Sequence, residues 1–296
     1  MQNRRDFLKQ ASLVLAGGMV APRLLTSCAG KTTAAISTKT IGLQLYSLRE
    51  MVKDEGIQKV LETVAGIGYK NLETADYNDG KIYGLIPSEF KKIVDDLGMK
   101  CTSAHLSQTY TKETEAEVMA WWDKAIDAHN EIGAKYIVQP WMPITAEKNT
   151  LDDVKTYCDY FTSVGYKAAA ASIAFGYHNH NFEFEKIDDI LIYDYMLDNV
   201  SPNHVFFELD VYWCIVGGGD PVAYLKERPS QFKAIHIKDE KEIGASGQID
   251  FQPIFEQMSA NNIKDWYVEV EQYTNNDPVA SVQESFDYLN KAEYVY

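Results

Sequence analysis

Seven consecutive residues, Tyr177-His178-Asn179-His180-Asn181-Phe182-Glu183, carry two of the six histidines of the chain. They follow an apolar run, Ile173-Ala174-Phe175-Gly176, that reads as a buried strand. Side chains alternate across a strand, so His178 and His180 share one face and Asn179 takes the other. Two imidazoles on one side of a strand end can hold a metal ion or a polar substrate. The same pair can instead be structural, bonded to neighbouring carbonyls. This stretch alone does not separate the two uses.

Other chemistry-bearing residues gather at the ends of similar apolar runs. Gln44, Tyr46 and Arg49 end the first, Glu73 the second, His105 the third, and Gln139 and Trp141 the fourth. Glu208, Asp210 and Trp213 follow the sixth, His236, Lys238 and Asp239 the seventh, and Glu269 and Glu271 the eighth. Of the histidines, His129 falls within a helical pattern and His204 just before a strand; the other four sit at strand ends. His236 and Lys238 alternate onto one face. A lysine beside a histidine and a cation is costly unless carboxylates surround it, and Asp210, Glu269 and Glu73 are the candidates. The alternative is a lysine that snorkels to the surface. Glu269 and Glu271 also share a face, which suits one metal ligand and one supporting group or base. One or two histidines with an aspartate and a glutamate make a mixed nitrogen and oxygen set. Such a set suits Mn²⁺, Co²⁺, Zn²⁺ or Fe²⁺ better than Mg²⁺ or Ca²⁺. Tyr46, Trp141 and Trp213 would wall the pocket with rings on which a sugar can stack.

These residues need a scaffold that brings many strand ends together. After residue 40, strands and helices alternate. Ile41 to Ser47 is β-leaning, and Ile57, Val60, Leu61, Val64 and Ile67 repeat with a helical period. Three junctions share one pattern of apolar residue, glycine, any residue, lysine, then strand, with glycines at 68, 98 and 133. Their spacing is that of one βα unit, and each glycine suits a left-handed helix cap. Ile187 to Leu197, Pro221 to Glu227, Phe251 to Ala260 and Val279 to Leu289 read as later helices. Eight strand–helix pairs without a second domain predict a single α/β (β/α)8 TIM barrel over residues 40–292. A doubly wound sheet is the alternative, but Gln44-Leu45-Tyr46-Ser47 stands where its glycine fingerprint would be.

The chain has 296 residues, 46% of them hydrophobic, and a net charge of −15. That charge argues against nucleic acid or an anionic membrane as partner, because phosphates would be repelled. Residues 1–27 read as an export signal. Arg4-Arg5-Asp6-Phe7-Leu8-Lys9 resembles a twin-arginine motif, and Leu25-Thr26-Ser27-Cys28 a lipobox whose cysteine would be lipidated. Residues 28–39 read as a flexible tether. The expected location is therefore outside the cytoplasm, in the periplasm and lipid-anchored through Cys28. Cys101, Cys158 and Cys214 form neither a disulfide framework nor a zinc motif. No oligomeric state follows from the sequence.

Gln44-Leu45-Tyr46-Ser47-Leu48-Arg49, Tyr177-His178-Asn179-His180, Leu209-Asp210-Val211-Tyr212-Trp213, His236-Ile237-Lys238-Asp239 and Glu269 together resemble the xylose-isomerase-like TIM-barrel family of sugar phosphate isomerases and epimerases. The resemblance implies a divalent-metal site. Carried over by position, Asp210, His236 and Glu269 are ligands. His178 aligns with the glutamate that many members have on strand five, although His180 shares its face. The resemblance also implies proton transfer beside a carbonyl of a sugar or keto sugar, with Glu269, Lys238 and His180 as catalytic groups. Gln44, Tyr46, Glu73, His105 and Trp213 are the expected substrate contacts. Epimerases of this kind use two glutamates on opposite faces of the substrate. A histidine on strand five therefore also admits a lyase, a hydratase or a glycoside-cleaving enzyme on 3-keto sugar derivatives. A non-catalytic sugar-binding lipoprotein is the third expectation.

Overall fold

The computed structural model describes residues 39–296. The export signal, the lipobox at Cys28 and nearly all of the tether lie outside the described residues. Lys39, the last tether residue, donates from Nζ to the carbonyls of Leu289, Asn290 and Ala292, at the C-terminal end of the helix Pro278–Lys291. Among the described residues no helix is long and apolar enough to cross a membrane.

Eight parallel strands make one sheet. They are β1 (Gly42–Gln44), β2 (Asn71–Thr74), β3 (Lys100–Ala104), β4 (Tyr136–Gln139), β5 (Ala174–His178), β6 (Val205–Asp210), β7 (Phe232–Lys238) and β8 (Asp265–Glu269). Each pairs with its sequence neighbour, and β8 returns to pair with β1. Between β3 and β4 a parallel bridge joins His105 to Val138, and Leu106 N donates to Val138 O at 2.8 Å. The result is the (β/α)8 barrel that the alternation of elements predicts.

Alternation along the strands stacks side chains inside the barrel in layers. Val138, Phe206, Ala234 and Tyr267 form a small apolar cluster of their own, separate from the large core between strands and helices. Gly176 on β5 leaves room for it: a Cβ there would lie 2.6 Å from the Phe206 ring. One step further along the same strands come His178, Glu208, His236 and Glu269, and beyond them Asp210 and Lys238. All are buried.

Three details differ from the sequence reading. The first strand stops at Gln44, because its side chain accepts from Tyr46 N and starts a 3₁₀ turn over Leu45–Leu48. The helix expected from Ile187 begins at Ile192, since Asp188 and Asp189 adopt positive φ and turn Lys186–Leu191 into a short hairpin. Asp210 starts an unforeseen helix, Val211–Val216, by accepting from Trp213 N at 2.8 Å. That bond is an N-cap, which satisfies one orphan amide of the first turn.

Candidate metal centre and active site

The C-terminal ends of β5 to β8 bring His178, Asp210, His236 and Glu269 together, with one potential ligand atom from each lying within 4.8 Å of the others. Strand register sets this geometry: Glu208 is level with His178, Asp210 with His236, and Lys238 with Glu269. His236 Nδ1 is 3.4 Å from Glu269 Oε2 and 4.0 Å from Asp210 Oδ2. His178 Nδ1, Asp210 Oδ2 and His236 Nδ1 are buried and make no hydrogen bond. Buried polar atoms without partners are costly, and a cation is what would satisfy three convergent lone pairs. The residues present therefore fit a divalent ion with nitrogen and oxygen ligands. His178 belongs to this group and His180 does not.

Two further carboxylates, Glu73 and Glu208, adjoin this group. His236 Nε2 is 2.6 Å from Glu73 Oε2, so Glu73 fixes the ring and leaves Nδ1 for the ion. Glu73 is itself held by Gln44 Nε2 at 2.7 Å and Ser103 Oγ at 2.6 Å. Glu208 Oε2 lies 2.7 Å from His105 Nε2, 3.3 Å from His236 Nε2 and 3.4 Å from His178 Nδ1. His105, His178, Glu208 and His236 thus form a second group with metal-ligand spacing. In that group His105 and His236 already meet carboxylates, at 2.7 and 2.6 Å, although Glu208 Oε1 has no partner; the first group holds three orphaned atoms, His178 Nδ1, Asp210 Oδ2 and His236 Nδ1. Gln44 and Glu73 were expected at the substrate. Both are fully buried and outside the cavity lining; Glu73 meets His236, and Gln44 holds Glu73. Sequence reasoning placed Glu208 at a strand end but gave it no role; its signal was its position two residues before Asp210, on the same face.

The catalytic candidates surround the metal group. Lys238 is 2% exposed and lies 3.2 Å from Glu269 Oε2 and 3.3 Å from Glu271 Oε1, so it does not snorkel. Burial opposes its charge, but Glu269, Asp210 and Glu271 outweigh burial and raise its pKa. Burial likewise opposes ionisation of Glu269, yet Lys238 and His236 hold that carboxyl well below the usual range. Asp210 is pushed up to about 7 by burial, which Lys238 only partly offsets. His180 is lowered to about 4, chiefly by burial, and is neutral at neutral pH. Its ring stacks on Phe182 at 5.4 Å and tilts against Trp213 at 5.8 Å. Trp213 lies behind the wall, its ring 5.7 Å from Lys238 Nζ, and does not line the cavity.

A cavity of about 580 Å³ opens at this centre, and His178, His180, Glu269, His105, Glu271 and Tyr46 line it. Asp76, Tyr77, Trp121 and Trp141 line it too. The Xylose isomerase-like TIM barrel family model matches residues 48–292.

The chain belongs to that family.

A solved structure described as a sugar phosphate isomerase/epimerase from Parabacteroides distasonis is 38% identical, with a TM-score of 0.82, over 87% of this chain and 100% of that one. A second from the same organism, described likewise, is 34% identical, with a TM-score of 0.80, over 92% and 99%. Inosose dehydratase of Clostridium beijerinckii is 25% identical over 85% of this chain and 92% of its own length. These relatives are named as enzymes, and this xylose isomerase-like barrel is an enzyme too. The family implies a small carbohydrate substrate, and the cluster of His178, Asp210, His236 and Glu269 could hold a divalent cation.

Proposed function

We propose that the protein is a divalent-metal-dependent isomerase or epimerase that moves a proton next to the carbonyl of a sugar or keto sugar. One observation carries this reading: two imidazoles and two carboxylates meet in a buried, under-satisfied cluster beside Lys238 and His180, at an open cavity. His178, Asp210, His236 and Glu269 would hold the ion, which when bound supplies positive charge to the carbonyl oxygen as the neighbouring proton leaves. Glu269, ionised and cavity-facing, takes that proton. Lys238, charged and bonded to Glu269, stabilises the carboxylate and relays the proton. His180, neutral at rest, takes up the relayed proton and, as the imidazolium so formed, returns it to carbon. His105 and Tyr46 orient the sugar.

A second reading, elimination by a lyase or hydratase, rests on Glu183. This carboxyl accepts from Tyr177 OH at 2.5 Å and His180 N at 2.8 Å, away from the cavity. It therefore offers no second glutamate to the opposite face of a substrate. The sequence-derived export signal supports action outside the cytoplasm from a lipid anchor at Cys28. Labelled-palmitate incorporation that persists in Cys28→Ala would refute the anchor.

Purified protein should contain about one equivalent of Mn, Co, Zn or Fe by elemental analysis. In deuterated water it should exchange the proton beside the carbonyl of a 3-keto sugar. Exchange with an epimeric product supports the first reading, and an unsaturated or cleaved product supports the second. Metal-free, inactive protein that still binds sugar would leave only a sugar-binding lipoprotein.

A further inference from the structure

Part of the cavity wall comes from elements that contribute nothing to the metal group. Tyr77 opens the Tyr77–Ile82 hairpin, and Trp121 lies on the helix Glu115–Ile132. Their rings meet edge to face at 5.3 Å, and Tyr77 rests on His129 at 5.3 Å. At the mouth, Trp141 is 42% exposed. It makes no ring contact among the described residues, yet its segment is held: Gln139 Nε2 donates to Trp141 O at 2.8 Å and Gln108 O at 3.0 Å. Aromatic faces around a cavity suit a flat or ring-shaped ligand. Asp76 lies among them at the rim, and no protein donor meets its carboxylate among the described residues.

Charge narrows the ligand further. Asp76, Glu269 and Glu271 line the cavity, and among the described residues no lysine or arginine does. Arg49, near the mouth, is spent on Tyr46 O, Tyr273 OH and Glu271 O. Lys238 is spent on Glu269 and Glu271. A phosphate monoester carries nearly two negative charges and binds where arginine or lysine can reach it. This wall sets three carboxylates against it and, among the described residues, no lysine or arginine.

We propose that Tyr77, Trp121 and Trp141, with Asp76 accepting hydroxyl hydrogen bonds, form a subsite for a second ring, and that the substrate is a neutral glycoside rather than a sugar phosphate. The proposal rests on the sugar-processing function above and names its substrate class. One sugar sits over the metal group and its glycosidic partner stacks on these aromatics.

Binding to the metal-loaded protein tests this without turnover. Calorimetry would compare 4-nitrophenyl β-glucoside, glucose and glucose 6-phosphate. The glucoside is expected to bind about tenfold tighter than glucose, the scale of one good aromatic stack. Glucose 6-phosphate should bind no better than glucose. Trp121→Ala and the solvent-exposed Trp141→Ala should each erase most of the glucoside advantage with unchanged metal content. Tightest binding of the phosphate, equal binding of all three, no binding, or a glucoside advantage that survives both variants would overturn the subsite. Deuterium exchange on a keto monosaccharide separates the two claims: its absence with the glucoside preference intact removes the proton-transfer reading and leaves the subsite standing.

Discussion

The Asn179 side chain holds both backbone polar groups of Asp210, accepting from Asp210 N at 3.0 Å through Oδ1 and donating to Asp210 O at 3.3 Å through Nδ2. Asn179 points away from the metal group, next to His178, so it acts as an extra ladder rung between the ends of β5 and β6. Tyr193 OH lies 3.4 Å from the same Oδ1. The distance between two proposed ligands is thus set by a residue that touches neither the ion nor the substrate. Asn179→Ala is expected to weaken metal binding about 10- to 100-fold, as loss of a supporting bond typically does. Metal titration of the chelated protein measures this, and unchanged affinity would show that strand pairing alone fixes Asp210.

Glu73→Gln tests the carboxylate that meets His236. The amide keeps the size but loses the charge that orients the ring. Metal affinity should fall about 10-fold or more, while KM for sugar changes little because Glu73 lies outside the cavity. A large KM effect with full metal content would return Glu73 to the substrate contacts.

Lys238→Met removes the cation between Glu269 and Glu271. If Lys238 relays a proton, kcat should fall about 10²- to 10⁴-fold with metal retained. Lys238→Arg should not rescue it, because a planar guanidinium does not fit a point-charge site that is 2% exposed. Parallel loss of metal in both variants would make Lys238 a structural counter-charge.

Glu183 gives a pH dependence. Its pKa is raised from 4.5 to about 7 by burial, with the Tyr177 and His180 hydrogen bonds only partly opposing the rise. A raised carboxyl pKa means that the folded state binds the proton more tightly than the unfolded chain. Its contribution is full below pH 4.5 and is lost as pH rises towards about 7. The stability difference between wild type and Glu183→Gln should therefore shift against wild type over that window and level off above it. Denaturant unfolding at several pH values reads this out, and a flat difference would rule out the titration.

Metal removal should lower Tm, since an ion that binds only the folded state stabilises it by mass action. Mn²⁺ or Co²⁺ added back should restore Tm in wild type but not in Asp210→Asn. Equal thermal curves with and without chelator would count against the metal centre.

Hydrophobic periodicity and helix-ending glycines were enough to predict the barrel, because both are local signals. Strand alternation also placed His178, Asp210, His236 and Glu269 at strand ends facing inward, since a period of two leaves little choice once the core face is known. Pairing was another matter. That Glu73 holds His236, that Glu208 gathers three histidines, and that Lys238 lies between two carboxylates depend on barrel closure, which brings side chains from distant strands within hydrogen-bonding reach. The aromatic wall was least legible. Trp121 sits in an amphipathic helix, where a tryptophan reads as core, and Tyr77 in a hairpin too short to show a period. Residue types and spacing along the chain determined the scaffold and put the proposed ligands at strand ends; only the tertiary structure decided which partner each charge meets and which aromatics the cavity exposes, because those contacts join segments with no local relation in sequence.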